Sequence, residues 1–115
     1  MLMKKVYYLK TCDTCKRIMK ELNLEEFQLR EIKSKPITES EIEDLRKQVD
    51  TYEQLLNKRS RKYSEIKNKN LSDQDLKQAI LEEYTFLKRP IFQVDEKLFI
   101  GNSKATVAAV QQELT

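Results

Sequence analysis

Apolar and polar positions change period along this chain, and each change marks an element. Residues 5–9 gather β-favouring bulk in Val6, Tyr7 and Tyr8, which predicts a short first strand. From Asp13 the spacing becomes helical. Cys15, Ile18, Met19 and Leu22 fall on one side of a helix over 13–23, with Cys12 at its N-terminal cap. Phe27, Leu29 and Ile32 then alternate with polar partners, and Lys33-Ser34-Lys35-Pro36 breaks the alternation. A second strand over 26–32 is expected, parallel to the first through the crossover helix.

The next stretch is helical throughout. Thr38-x-x-Glu41 is a capping box in front of Ile42, Leu45 and Val49, with Glu39, Glu41, Glu43 and Asp44 near the positive end of the helix. Asp50-x-x-Glu53 reads as a second cap before Tyr52, Leu55 and Leu56, with that short helix ending near Asn57. After a basic stretch, Ser72-x-x-Asp75 opens a third helix with Leu76, Ala79, Ile80 and Tyr84 inward. Residues 38–84 are thus a helical insert between strands.

Pro90 introduces a strand over 91–94, and Asp95-Glu96 turns it into a partner over 97–100, an antiparallel hairpin. Gly101, the sole glycine, implies a backbone conformation that other residues resist. A final helix over 103–114 carries Val107, Val110 and Leu114 on one face. The order β-α-β, helical insert, β-β-α, with Cys-x-x-Cys after the first strand, is a thioredoxin-like α/β plan with a mixed sheet. Residues 1–115 form a single domain on this reading, with no internal repeat or linker.

Composition narrows the chemistry. At 115 residues, with 39% hydrophobic and 36% charged side chains, the chain supports one modest, well-solvated core. Residues 1–10 show no long apolar run or cleavage site, so a cytoplasmic protein without membrane attachment is expected. There is no histidine, which removes the commonest general base and zinc ligand. Two thiols alone do not make a zinc site, so no metal is expected. The two cysteines are too close in sequence for their disulfide to staple a domain.

Their position points to reactivity instead. A cysteine at a helix N-terminus faces unpaired N–H groups and the positive end of the helix dipole, which favour thiolate over thiol. Cys12 is therefore the expected nucleophile. Cys15, one turn along on the apolar stripe, is the expected resolving thiol. A pair of small core hydrophobes is the plainer alternative. Residues 58–69 hold six basic residues and one acid, a local net of +5 within a chain of net +3, so the remainder carries −2. A solvated face explains that run most simply, an acidic substrate or partner next. Direct DNA binding is not expected, because no recognition helix with interleaved base-reading residues is present.

Four segments, in order, carry a resemblance. They are Tyr8-Leu9-Lys10-Thr11-Cys12-Asp13-Thr14-Cys15, Leu55-Leu56-Asn57-Lys58-Arg59-Ser60-Arg61-Lys62-Tyr63, Lys88-Arg89-Pro90-Ile91 and Phe99-Ile100-Gly101. Together the chain resembles the arsenate-reductase-like family of thioredoxin-fold proteins, which includes the Spx-type transcriptional regulators. The resemblance implies the insert packed beside the cysteine loop, and a cis peptide before Pro90 facing Cys12. It further implies an oxyanion held by Arg89. Of the other two arginines that the family's arsenate reductases carry, one is replaced by Asn57 and the other falls near Gly101, so Arg59 or Arg61 would substitute.

The expected function is thiol-dependent reduction of an oxyanion or disulfide, without a bound cofactor or metal. Glutathione with glutaredoxin, or thioredoxin, would be the reductant, and the protein would act as a monomer. The alternative is an Spx-type redox sensor whose insert binds the RNA polymerase α-subunit. That class shares the Cys-x-x-Cys, Arg59-Ser60 and the glycine after the last strand, but has a glycine where this chain has Thr51. A third alternative is a relative whose activity has decayed and whose fold serves as a scaffold.

Overall fold

A computed structural model describes residues 4–114 and divides the chain into two compact units. The first comprises residues 1–35 and 89–115, the second residues 36–88. Part of the stretch read above for a leader, Met1 to Met3, lies outside the described residues.

The first unit holds four strands, β1 (Lys4–Tyr8), β2 (Gln28–Glu31), β3 (Ile91–Val94) and β4 (Lys97–Ile100), in the order β2-β1-β3-β4. β1 pairs parallel with β2, while β1–β3 and β3–β4 are antiparallel, with Val6 opposite both Leu29 and Phe92, and Phe92 opposite Phe99. This mixed sheet is the thioredoxin-like arrangement expected from the sequence. Two helices, α1 (Asp13–Glu21) and α4 (Lys104–Leu114), supply the rest of its core. Val6, Phe92 and Val94 from the sheet pack with Ile18 and Leu22 near α1, with Phe27, and with Val110 of α4. Phe27 meets Phe92 edge to face at 6.2 Å. Both helices thus cover one sheet face, as their apolar stripes require. Tyr7 and Ile91 are fully buried on the opposite face, and Tyr8 packs partly exposed against the core.

The hairpin turn has Asp95 at φ 56, one of the few residue types that tolerate this left-handed conformation. Gly101 has φ +99, and a Cβ placed there would meet nothing within 4 Å. The glycine is therefore required by backbone conformation, not by space. Its N–H donates to the Pro90 carbonyl at 2.9 Å, tying the end of β4 to the start of β3.

The second unit contains α2 (Glu39–Arg46) and α3 (Asp73–Glu82) with three short 3-10 segments. Both outer capping boxes form as the sequence predicts, Thr38 with Glu41 and Ser72 with Asp75, each pair exchanging bonds of 3.0–3.1 Å. Four expectations differ in detail. α2 stops at Arg46, because the N–H groups of Lys47, Gln48 and Val49 each bond three residues back, leaving Val49 outside the helix. The expected Asp50–Glu53 cap is replaced by Gln54, whose Oε1 accepts from the N–H groups of Asp50 and Thr51, while Glu53 is drawn to Lys58 at 2.8 Å. The helix there is a 3-10 turn, Tyr52–Leu55, because the Asn57 N–H bonds across to the Phe86 carbonyl at 2.7 Å and Leu56 bridges to Leu87. Finally, α3 ends at Glu82, so Tyr84 lies in a separate turn, Tyr84–Phe86, capped by the Glu83 carboxylate.

Asp73 ties this unit together. It accepts from the Tyr52 N–H at 2.8 Å and from Arg46 at 3.4 Å, and Arg46 also donates to the Val49 carbonyl at 2.7 Å. No helix among the described residues is long and apolar enough to cross a membrane.

Candidate functional site

The loop between β1 and α1 places the two thiols. Cys12 is the N-cap residue of α1, with extended backbone (φ −90, ψ 111). Its N–H donates to the Leu9 carbonyl at 3.0 Å, and its own carbonyl accepts the first helical bond from Lys16 at 3.1 Å. The loop is thereby closed on itself just before the helix begins. Cys12 is partly exposed and Cys15 fully buried, and both are free thiols. Burial of Cys15 follows from its place on the stripe with Ile18 and Leu22.

The two sulfurs are driven in opposite directions. Partial burial by itself pushes the Cys12 thiol up. That effect is outweighed by the Cys15 N–H and thiol, the Arg89 charge and the Thr14 N–H, so the net shift is down. No full side-chain hydrogen bond caps the helix at Cys12, and these N–H groups act on its sulfur as weaker, charge-directed donors. Cys15 is pushed up to about 11, chiefly by burial, with the neighbouring Cys12 adding to the rise and the Leu9 backbone and Arg89 opposing it. A pair built in this way has one sulfur ready to attack and one held protonated until needed.

Arg89 stands two residues ahead of β3, half-buried, and its charge acts on both thiols. The peptide joining it to Pro90 is cis, and Pro90 is buried. Cys12, Cys15, Arg89 and Pro90 all belong to the first unit. Arg59 and Arg61 belong to the second, and both are exposed. Their loop is anchored by the Arg59 N–H on the Asn57 Oδ1 at 3.1 Å and by Ser60 Oγ against Thr85 Oγ1 at 2.8 Å. Lys62 pairs with Glu83 at 2.8 Å. Much of the basic run is therefore organised by hydrogen bonds within its own unit.

One residue beside the cysteine loop carried no signal in the sequence beyond its polar place in an alternating strand. Glu31, at the end of β2, accepts four hydrogen bonds. The Lys10 N–H reaches Oε2 at 2.8 Å; Lys33 N–H, Ser34 N–H and Ser34 Oγ–H reach Oε1 at 3.1, 2.7 and 2.6 Å. Burial alone would raise its carboxyl, but these donors hold it down at about 2. Acidic residues ending a strand are common, and only the fold shows that this one meets the turn before Cys12.

Residues 7–110 match the model of the ArsC family. No match is found among curated proteins. Among solved structures the chain is similar to an arsenate reductase-related protein from Brucella melitensis, at 24% identity and TM-score 0.71, covering 93% of this chain and 92% of that one. It is similar to an arsenate reductase from Vibrio cholerae, at 17% identity and TM-score 0.74, over 99% and 98% of the two chains. It is also similar to SACOL0876 from Staphylococcus aureus, at 24% identity and TM-score 0.72, over 93% and 97%. At these identities the structures share its fold.

Proposed function

The chain belongs to the ArsC family of thioredoxin-fold proteins, and from that premise we propose that it is a thiol-dependent reductase acting through Cys12 with Cys15 as the resolving thiol. What supports this reading is the placement of the two sulfurs at the start of α1, Cys12 as the partly exposed N-cap residue and Cys15 buried one turn on, with the Arg89 charge acting on both.

For a disulfide substrate, the Cys12 thiolate attacks one sulfur, forming a mixed disulfide and releasing the other half as a thiolate. Cys15 gives up its proton and attacks the Cys12 sulfur. The second half leaves, and a Cys12–Cys15 disulfide remains. Two electrons have passed from the protein to the substrate. For an oxyanion such as arsenate, Arg89 holds the anion while Cys12 sulfur displaces one oxygen, which leaves as water with added protons. Attack by Cys15 then breaks the sulfur–arsenic bond with its electron pair on arsenic, and As(III) departs. Two equivalents of glutathione, directly or through glutaredoxin, or one of reduced thioredoxin, restore the dithiol.

Exposure of the Cys15→Ser variant to oxidised glutathione tests the order of events. A stable glutathione adduct on Cys12 is expected there, and an internal disulfide without adduct in the wild type. A wild-type adduct that Cys15 never displaces would end the two-step scheme.

A further inference from the structure

The Glu31 carboxylate joins two backbone segments that the sequence keeps far apart. One is the 33–34 turn, held through Oε1 by three donors; the other is the Lys10 N–H, held through Oε2. Lys10 lies within the short turn closed by the Cys12 N–H on the Leu9 carbonyl. Leu9 is also the residue whose backbone bonds to the Cys15 sulfur. On the other side of the junction, the Ile32 N–H donates to the Tyr8 carbonyl at 3.0 Å. At Tyr8 and Lys10, therefore, the chain leading into Cys12 is fixed from the β2 side by Ile32 and Glu31.

We propose that Glu31 is a positioning residue for the reactive thiol: by holding the Lys10 N–H it fixes the turn that aims Cys12 at the first N–H groups of α1. This rests on the reading of Cys12 as the activated nucleophile. Glu31 touches neither sulfur and takes no part in the bond exchange. Its negative charge by itself disfavours a nearby thiolate, so its loss has two effects of opposite sign. Removing the charge alone would activate Cys12; loosening the turn would take Cys12 off the Thr14 and Cys15 N–H groups and deactivate it. The direction of the change thus distinguishes position from charge.

The test is the pH-dependent rate of Cys12 alkylation by iodoacetamide, measured in a Cys15→Ser background so that one thiol reports. Glu31→Ala is expected to slow alkylation at neutral pH by roughly threefold or more, with the midpoint moved up by about half a unit. Glu31→Gln keeps the shape, but its single carbonyl oxygen can serve only one of the two segments, so its rate should lie between those of wild type and Glu31→Ala. Ser34→Ala removes one donor on the far side and leaves Lys10 held; it should react at the wild-type rate. Far-UV circular dichroism checks folding, and if Glu31→Ala does not fold, the Gln variant carries the comparison. Folded variants at Glu31 that react as fast as the background protein, or a Ser34→Ala as slow as Glu31→Ala, would overturn the proposal. Should Cys12 in the background protein itself titrate like an ordinary thiol, the reductase reading fails first, and the two failures are distinguishable.

Discussion

Alkylation at pH 8 should label one cysteine of the native protein and spare the other, and the ratio follows from the site. With its thiol pushed up to about 11, Cys15 holds about one part in a thousand as thiolate at that pH. An ordinary thiol near 9 would hold about a tenth, and Cys12, shifted below that, holds more. Ionisation alone therefore favours Cys12 at least a hundredfold, roughly. A more basic thiolate is intrinsically the better nucleophile, which for two pH units returns a factor of roughly eight. The net preference is still at least about tenfold, before the complete burial of Cys15 obstructs the reagent further. Replacing Cys12 with Ser should make Cys15 more reactive than it is in the wild type, since Cys12 helps to hold it protonated. It should remain slow, because burial is the largest cause. Intact-mass spectra over a time course, followed by peptide mapping, read all of this. Equal labelling of both thiols, first labelling at Cys15, or a Cys15 that slows when Cys12 is removed would refute the reasoning.

Other perturbations have defined outcomes. Arg89→Gln removes a charge that lowers Cys12, so the alkylation midpoint of Cys12 should rise; an unchanged midpoint would mean that the guanidinium does not act on the sulfur. Gly101→Ala should destabilise by about 1 kcal/mol, from the φ of +99 alone, since the new methyl group meets nothing within 4 Å; urea denaturation showing no loss would contradict a conformational requirement. Phe92→Ala, at the centre of the sheet and fully buried, should cost about 3 to 5 kcal/mol, read as a large fall in urea midpoint. Glu31 gives a pH dependence. Its folded-state value of about 2 lies below the ordinary 4.5, so its stabilisation is full above 4.5 and is lost as the pH falls through about 2. After allowance for solvent screening this amounts to about 1 to 2 kcal/mol. Glu31→Gln should show correspondingly less acid sensitivity between pH 5 and 2, and parallel curves for the two proteins would contradict it.

Local chemistry decides which parts of this structure are legible in the sequence. Cys15, Ile18 and Leu22 mark a buried helix face because helical spacing leaves no other way to cover them, and Cys12 follows as the cap. Thr38–Glu41 and Ser72–Asp75 form as read because capping boxes are local. The lone Gly101 signals its positive φ for the same reason. Where a bond partner is distant in sequence, the reading slips. Asn57 reaching Phe86 cuts the expected helix to a single turn, and Gln54 takes the place given to Glu53 because Lys58 competes for that carboxylate. Glu31 shows this most clearly. Three of its donors are close in sequence, but the fourth, Lys10, is 21 residues away, and no spacing rule connects them.

Oxidation of NADPH by the pure protein with arsenate, glutathione, glutaredoxin and glutathione reductase tests the proposed chemistry most directly, with Cys12→Ser as the blank. Turnover is expected in the wild type, abolished in Cys12→Ser and strongly reduced in Cys15→Ser. The same coupling with a glutathione mixed disulfide in place of arsenate covers the other substrate class. Wild-type rates equal to the Cys12→Ser blank with both substrates would contradict a reductase built on Cys12, and would turn attention to what the oxidised protein binds.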